Sequence, residues 1–268
     1  MSTMPLSPDW YPAINVRRSR RNYDKGRPME PELVERLSRV CSEFRPYPAA
    51  RLEFVPRPSQ DIFDRAFLVY GNIRNVSAFL AFIGDASDPN MQEKLGYTGE
   101  GIILEATSRG LGTCWAALSY KSSAAQSMIK LNAGEKLVAV SPVGYTVETW
   151  TFEEKALTAF GATHQRKPLS GMVTGLEKDR WPQWAAAAVE AARLAPSATN
   201  RQPWSFHIEQ NSITVSVRGS EPEFNVSKRL DCGIAMLHVE LGALSQGARG
   251  RWEFLRHPGV ARFVVDNQ

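Results

Sequence analysis

Apolar residues at 33, 34, 37, 40 and 41 recur at the spacing of one helical face, behind Pro31 at a suitable first helical position and between the acids Glu30 and Glu32. This pattern predicts an amphipathic helix. Leu52–Val55, the unbroken apolar run Phe79–Gly84 and Val138–Gly144 read as strands, the last two as buried ones. Between them, Tyr97–Ser108 carries apolar residues on most faces and predicts a helix enclosed on several sides. After about Thr174 the order begins again. Pro182 opens a helix running to about Leu194, Trp204–Ile208 and the alternating Ile213–Val217 read as strands, and Gly233–Leu244 is a second apolar helix.

The repetition has a nearly constant offset. A shift of 137 positions places Gly96 on Gly233, Ala106 on Ala243, Gly110 on Gly247 and Trp115 on Trp252, and a shift of 151 places Pro31 on Pro182. Two degenerate halves are expected, residues 12–174 and a shorter 175–268, folded as a covalent imitation of a symmetric homodimer whose shared cleft both halves line.

With 268 residues and 43% hydrophobic content, the chain can bury a sizeable core. Its net charge of +4 arises from scattered basic residues apart from one cluster, Arg17–Arg21, so a compact anion is a better partner than nucleic acid. Cys41, Cys114 and Cys232 have neither metal-ligand spacing nor the even number of a disulfide set, which predicts a reducing cytoplasm. MSTMPLSPDWYP lacks the apolar run of a signal peptide, and Phe67–Gly84 is broken by Asn72, Arg74 and Asn75, so no membrane span is expected.

Three short segments carry candidate chemistry. RRSRRNY, Arg17–Tyr23, offers four guanidinium groups and a hydroxyl, enough donors to neutralise a phosphate dianion, and in an extended segment Arg17, Ser19 and Arg21 would point the same way. A solvated basic arm is the plainer alternative, and a nucleic-acid arm a poorer third because no aromatic platform accompanies it. APSATNRQPW, Ala195–Trp204, places Ser197, Thr199 and Asn200 in a turn after a helix ended by Pro196, where they can bond backbone or ligand. RGLGTCW, Arg109–Trp115, suits either close approach of backbone to a planar ring or a helix C-cap followed by a strand. His164, His207, His238 and His257 show no zinc-ligand spacing and no serine sits in a GxSxG elbow, so neither a metal nor a hydrolytic residue is expected. Trp10, Trp150, Trp181 and Trp184 read as core or surface anchors.

Together with SPVGY at Ser141–Tyr145 and RKPLSGMV at Arg166–Val173, these motifs make the chain resemble the nitroreductase family of FMN-dependent oxidoreductases, in particular its single-chain, internally duplicated branch. The resemblance implies an α+β fold, a central and mostly antiparallel sheet flanked by helices. It also implies that Arg17, Ser19 and Arg166 hold the FMN phosphate with Arg18 beside them, and that Arg21 lies near the pyrimidine end of the ring. Pro196, Ser197 and Asn200 would pack on the ring and ribityl chain from across the pseudo-dimer interface. The backbone of Trp115, Ala116 and Ala117 would face the ring, with one N–H toward N5, although relatives have glycine where Ala117 stands. His164 takes the place of a lysine found on the phosphate in relatives. The first half has EFRPYPAARLEF, Glu43–Phe54, in place of the Pro-Ser turn, and the second has QGARGRW, Gln246–Trp252, in place of GLGTCW. The halves therefore combine into one complete FMN site and one lost site, in a monomer that looks dimeric inside. The implied activity is hydride transfer from NAD(P)H through flavin to a small acceptor such as a nitroaromatic or quinone, with no essential protein acid or base. A flavin-binding sensor or carrier without turnover is the alternative.

Overall fold

The computed structural model describes residues 4–63, 72–118, 120–147, 165–219 and 226–266. Helix α1 spans Trp10–Val16 and α2 spans Pro31–Glu43, with Pro31 at its first turn as the pattern predicts. Strand β1 is Ala50–Pro56 and β2 is Ala78–Asp85; they are followed by helix α3, Met91–Ser108, the short strand β3, Gly112–Thr113, helix α4, Ser122–Gln126, and strand β4, Glu135–Gly144. Strand β5, Val173–Gly175, precedes helix α5, Gln183–Arg193. The chain continues as β6, Trp204–Ile208, β7, Ser212–Val217, helix α6, Lys228–Leu244, β8, Gly250–Phe254, and β9, Gly259–Val265.

The antiparallel strands form two sheets rather than one central sheet. The first has the order β1-β2-β4-β3, and the second extends the order β6-β7-β9-β8 with β5, which joins β6 in parallel. The long apolar helices are the reason for the separation: α3 covers the first sheet, α6 covers the second, and the two helices pack on each other between them. Helices α1 and α2 flank α3, and α5 packs on α6.

Side-chain periodicity matches this layering. In β2, Ala78, Leu80 and Phe82 enter the main core against the helices, while Phe79, Ala81 and Ile83 enter a second cluster with Tyr23, Ile62 and Phe63 on the other face. A strand buried on both faces has no polar positions to alternate, hence its unbroken apolar run. In β7, Ile213, Val215 and Val217 face the core, whereas Thr214 and Ser216 lie on the less buried face, hence its alternation.

The two long helices touch backbone to backbone where both carry glycine. A Cβ added at Gly96 would collide with the Leu230 carbonyl oxygen, and one added at Gly233 would collide with that of Glu93. These contacts are reciprocal at the 137-residue offset, the geometry of a two-fold interface. The helix exits also correspond: Gly110 and Gly247 both have φ +76°, and in each case the following amide donates to the carbonyl at the fifth residue back, Leu111 to Ala106 and Ala248 to Ala243.

Candidate functional site

Three of the motifs lie side by side at one edge of the first sheet. The end of β4, Val143–Gly144, pairs with β3, and Ser19 bridges to Thr113 in parallel while the Arg20 amide donates to the Thr113 carbonyl at 2.9 Å. Further along, Tyr23 bridges to Thr146 and the Asp24 amide donates to the Tyr145 carbonyl at 2.8 Å. Gly112 makes this edge possible, since a Cβ there would strike Thr146 and crowd Arg20. The close approach that this glycine permits is therefore between segments of the chain itself. Gly110 serves as the helix cap.

The four arginines diverge. Arg17 caps the end of α1 and is buried, Arg18 is exposed and donates to the carbonyls of Asn15 and Arg17, and Arg20 donates to the carbonyl of Val147 at 2.7 Å. Ser19 and Arg21 are half-buried.

The other wall is built from the RKPL segment and the Pro-Ser turn. Arg166 donates to Asn200 Oδ1 at 2.8 Å and to the Leu194 carbonyl at 3.1 Å, and Asn200 Nδ2 donates to the Gln165 carbonyl at 2.8 Å. Gln202, 3% exposed, accepts from the Lys167 amide at 2.8 Å and donates to Gln165. Thr199, Asn200 and Gln202 all have positive φ, 51°, 57° and 47°, which costs on the order of 1 kcal/mol or more for each non-glycine residue. Buried contacts hold the turn in this form. Asp231 of α6 accepts from the Ala198 amide at 3.1 Å and pairs with Arg201 at 2.7 Å, and Ser197 Oγ accepts from the Gln202 amide at 2.9 Å. Pro196 is buried beside it.

Electrostatics connect the two walls. Burial, together with repulsion from Arg17, Arg18 and Arg193, lowers the pKa of Arg166 to about 10. Burial also lowers that of Arg17, against the opposing pull of Glu100. Cations converge here from the C-cap of α1 and the residue after it, from the end of α5 and from the RKPL segment, and an entering dianion would relieve their repulsion.

The GLGTCW end is partly tied into the first sheet. The Ala116 amide donates to the Val140 carbonyl at 2.8 Å, so it is committed to the sheet, and only Trp115 and Ala117 among the three remain to offer an N–H to a ring. The Trp115 indole stacks on Phe82 with centroids 4.0 Å apart and donates to Glu100 at 2.8 Å, which fixes this wall from behind.

Aromatic side chains meet where the Glu43–Phe54 segment approaches α3 and β8. Tyr47 of the segment that replaces the Pro-Ser turn packs edge-on against Tyr97 and Phe254, at 5.3 and 5.4 Å between centroids. Tyr97 and Trp252 both donate to Glu240 at 2.7 Å, and burial pushes the Glu240 carboxyl up. A separate cavity of about 250 Å³, whose lining includes Pro58, Phe63, Ile73 and Arg74, contains none of the expected site residues.

Glu100, His238 and Asp231 are supporting residues that lie outside the motifs, and Gln202 is one inside APSATNRQPW that turn chemistry does not single out. A glutamate within a helix expected to be enclosed on several sides was the available signal, because a buried carboxylate needs partners. Glu93, Glu100 and Glu105 on α3 are all fully buried, and all three have cationic partners. Trp10 is an interior anchor that donates to Glu105 at 2.9 Å, Trp181 donates to the Leu176 carbonyl at 2.8 Å, and Trp184 packs near Phe263. His164 and Trp150 lie outside the described residues. Among the described residues there is no cluster able to hold a metal ion, and no helix is long and apolar enough to cross a membrane.

The fold and this paired-wall site have a clear class: residues 9–243 match the family model described as "Putative TM nitroreductase". The chain belongs to this family, and so to a group of oxidoreductase kind. A crystal structure described as a "putative nitroreductase" from Thermotoga maritima MSB8 shares the fold over 99% of this chain and 97% of its own, with a TM-score of 0.62 and 20% identity. A nitroreductase family protein from Clostridium novyi NT matches 54% of this chain and 87% of its own, with a TM-score of 0.42 and 16% identity. A structure described as an oxidoreductase containing FMN matches 55% and 80%, with a TM-score of 0.41 and 16% identity. No curated protein matches the chain.

Proposed function

We propose that the chain is an FMN-dependent oxidoreductase that binds one flavin per chain and passes hydride from NAD(P)H to a small oxidised acceptor such as a nitroaromatic or quinone. The observation that carries this reading is the convergence of Arg17, Arg18 and Arg166 where the Asn200 turn begins, a site with excess positive charge and hydrogen-bond donors. This donor set fits a phosphate dianion.

Arg17, Ser19 and Arg166 would hold the phosphate, with Arg18 at its exposed side. Asn200 would keep Arg166 oriented, because its amide oxygen already receives one guanidinium N–H. Arg21 would stand near the pyrimidine end, where a cation favours the negatively charged reduced ring. Pro196 and Ser197 would bound the ribityl side, and Trp115 or Ala117 would supply the N–H toward N5. When bound, FMN supplies the hydride-accepting and hydride-donating centre. The protein's part is to position it, to exclude water from one face and to leave the other open to donor and acceptor in turn.

The same reading treats the chain as an internally duplicated pseudo-dimer, residues 12–174 and 175–268, acting as a monomer in the cytoplasm. The repeated strand order and the reciprocal glycine contacts support it, and on this reading the packed rings of Tyr47, Tyr97 and Phe254 would stand where a second flavin is lost. Acid-released flavin from purified protein tests the stoichiometry: about one FMN per chain is expected on this charge and packing logic. Arg17→Ala combined with Arg21→Ala should give colourless protein. Steady-state oxidation of NADH or NADPH with a nitro compound or quinone tests turnover; flavin retained with no turnover across acceptors would make the protein a binding module.

A further inference from the structure

Glu100 of α3 and His238 of α6 meet with both side chains fully buried, directly behind the arginine wall. Glu100 Oε1 lies 3.1 Å from His238 Nε2 and 4.0 Å from Arg17 Nε, while Oε2 accepts from Trp115. These three are the polar partners of this carboxyl group among the described residues. On its far side, His238 Nδ1 lies 2.9 Å from the Ala191 carbonyl of α5.

The hydrogen-bond inventory fixes the proton count. A carbonyl oxygen only accepts, so Nδ1 carries a proton. The contact between Nε2 and Oε1 requires one more, on the imidazole or on the carboxyl. In either placement the Glu100–His238 pair has zero net charge, and the charge of Arg17 is left uncancelled. Without a proton-holding group at position 238, a buried Glu100 carboxylate would face Arg17 alone and neutralise it.

We propose that His238, supplied by the second half, is a positioning residue that keeps the positive charge of Arg17 available for an anionic ligand by holding a proton against Glu100. The inference rests on the flavin-phosphate reading above and specifies how the halves depend on each other: the cation belongs to one and its protection from neutralisation to the other.

The test is equilibrium titration of the flavin-free protein with FMN, with riboflavin, which lacks the phosphate, and with inorganic phosphate. His238→Gln, Glu100→Gln and the double variant are compared with wild type. His238→Gln should weaken FMN and phosphate by about tenfold or more, equivalent to about 1.4 kcal/mol, and leave riboflavin unchanged. Adding Glu100→Gln removes the neutralising anion and should restore FMN affinity, a rescue that a packing role would not produce. The proposal is overturned if His238→Gln binds FMN as wild type does, if riboflavin weakens equally, or if the double variant binds no better than the single one. Should His238→Gln not fold, Glu100→Gln alone decides: FMN affinity at or above the wild-type level supports the proposal, and a tenfold loss overturns it. Wild-type protein that binds none of the three ligands defeats the flavin-phosphate reading itself, and this inference with it.

Discussion

The crossing of α3 and α6 gives a sharp prediction for Gly233→Ala. The new Cβ would lie 2.7 Å from the Glu93 carbonyl carbon and Cα, closer still to the carbonyl oxygen, where ordinary contact begins at 3.4 Å. Every one of these atoms is backbone in the first turn of α3, so no side chain can turn away and the helices themselves must part. Overpacking of this kind costs about 3 kcal/mol, the upper end of the usual range, because relief requires moving two helices and the sheets attached to them. With a urea m value of about 3 kcal/mol/M, the unfolding midpoint should fall by about 1 M, readable by far-ultraviolet circular dichroism. Gly96→Ala attacks the reciprocal contact and should behave alike. Once one substitution has separated the helices the second meets less resistance, so the double variant should lose less than the sum of the singles. Either single variant unfolding at the wild-type midpoint, or strict additivity of the pair, would refute the close crossing.

Three further outcomes are expected. Asp231→Asn breaks its buried pair with Arg201 and weakens the anchoring of the Ala198 amide; a loss of about 3–5 kcal/mol in thermal or urea stability should accompany a loosened Pro-Ser turn, and unchanged stability would contradict the pairing. The hydrogen bonds from Arg51 hold the Glu135 carboxyl down at about 2 from a usual 4.5, so this pair's contribution is fully present above pH 4.5 and fades as the pH falls toward 2; Arg51→Gln should flatten the pH dependence of the urea midpoint across that window. Inorganic phosphate should raise the melting temperature of flavin-free protein, by about 2.7 kcal/mol of stability at a hundred times its Kd, and sodium chloride at equal ionic strength should not.

Much of the fold was legible because burial and periodicity agree. Trp204–Ile208 matches its strand end to end, Pro31 marks the start of α2, and the contrast between the run in β2 and the alternation in β7 reflects one strand covered twice and one covered once. Helix α6 begins at Lys228, five residues before the apolar pattern, since its first turn carries Lys228, Arg229 and Asp231, which are held by buried polar contacts rather than by an apolar face. Strands β8 and β9 carry charge at Arg251, Glu253 and Arg262 and were hidden by it, and β3 and β5 are too short to show a period. At the site, the motifs marked the walls. The residues that hold those walls from outside the motifs, Glu100, His238 and Asp231, act through contacts between segments distant in sequence, and no local spacing encodes such a contact.

Strand β5 has a consequence for any attempt to divide the molecule. Val173–Gly175 follows all the strands of the first sheet in the chain yet hydrogen-bonds in register with Phe206–Ile208 of the second sheet. A cut in the backbone just after Gly175 should therefore leave two pieces that stay clasped. Expressed separately, the carboxy-terminal piece would bare the flank of β6 and the amino-terminal piece would trail an unmatched ribbon, each an invitation to stick to the wrong neighbour.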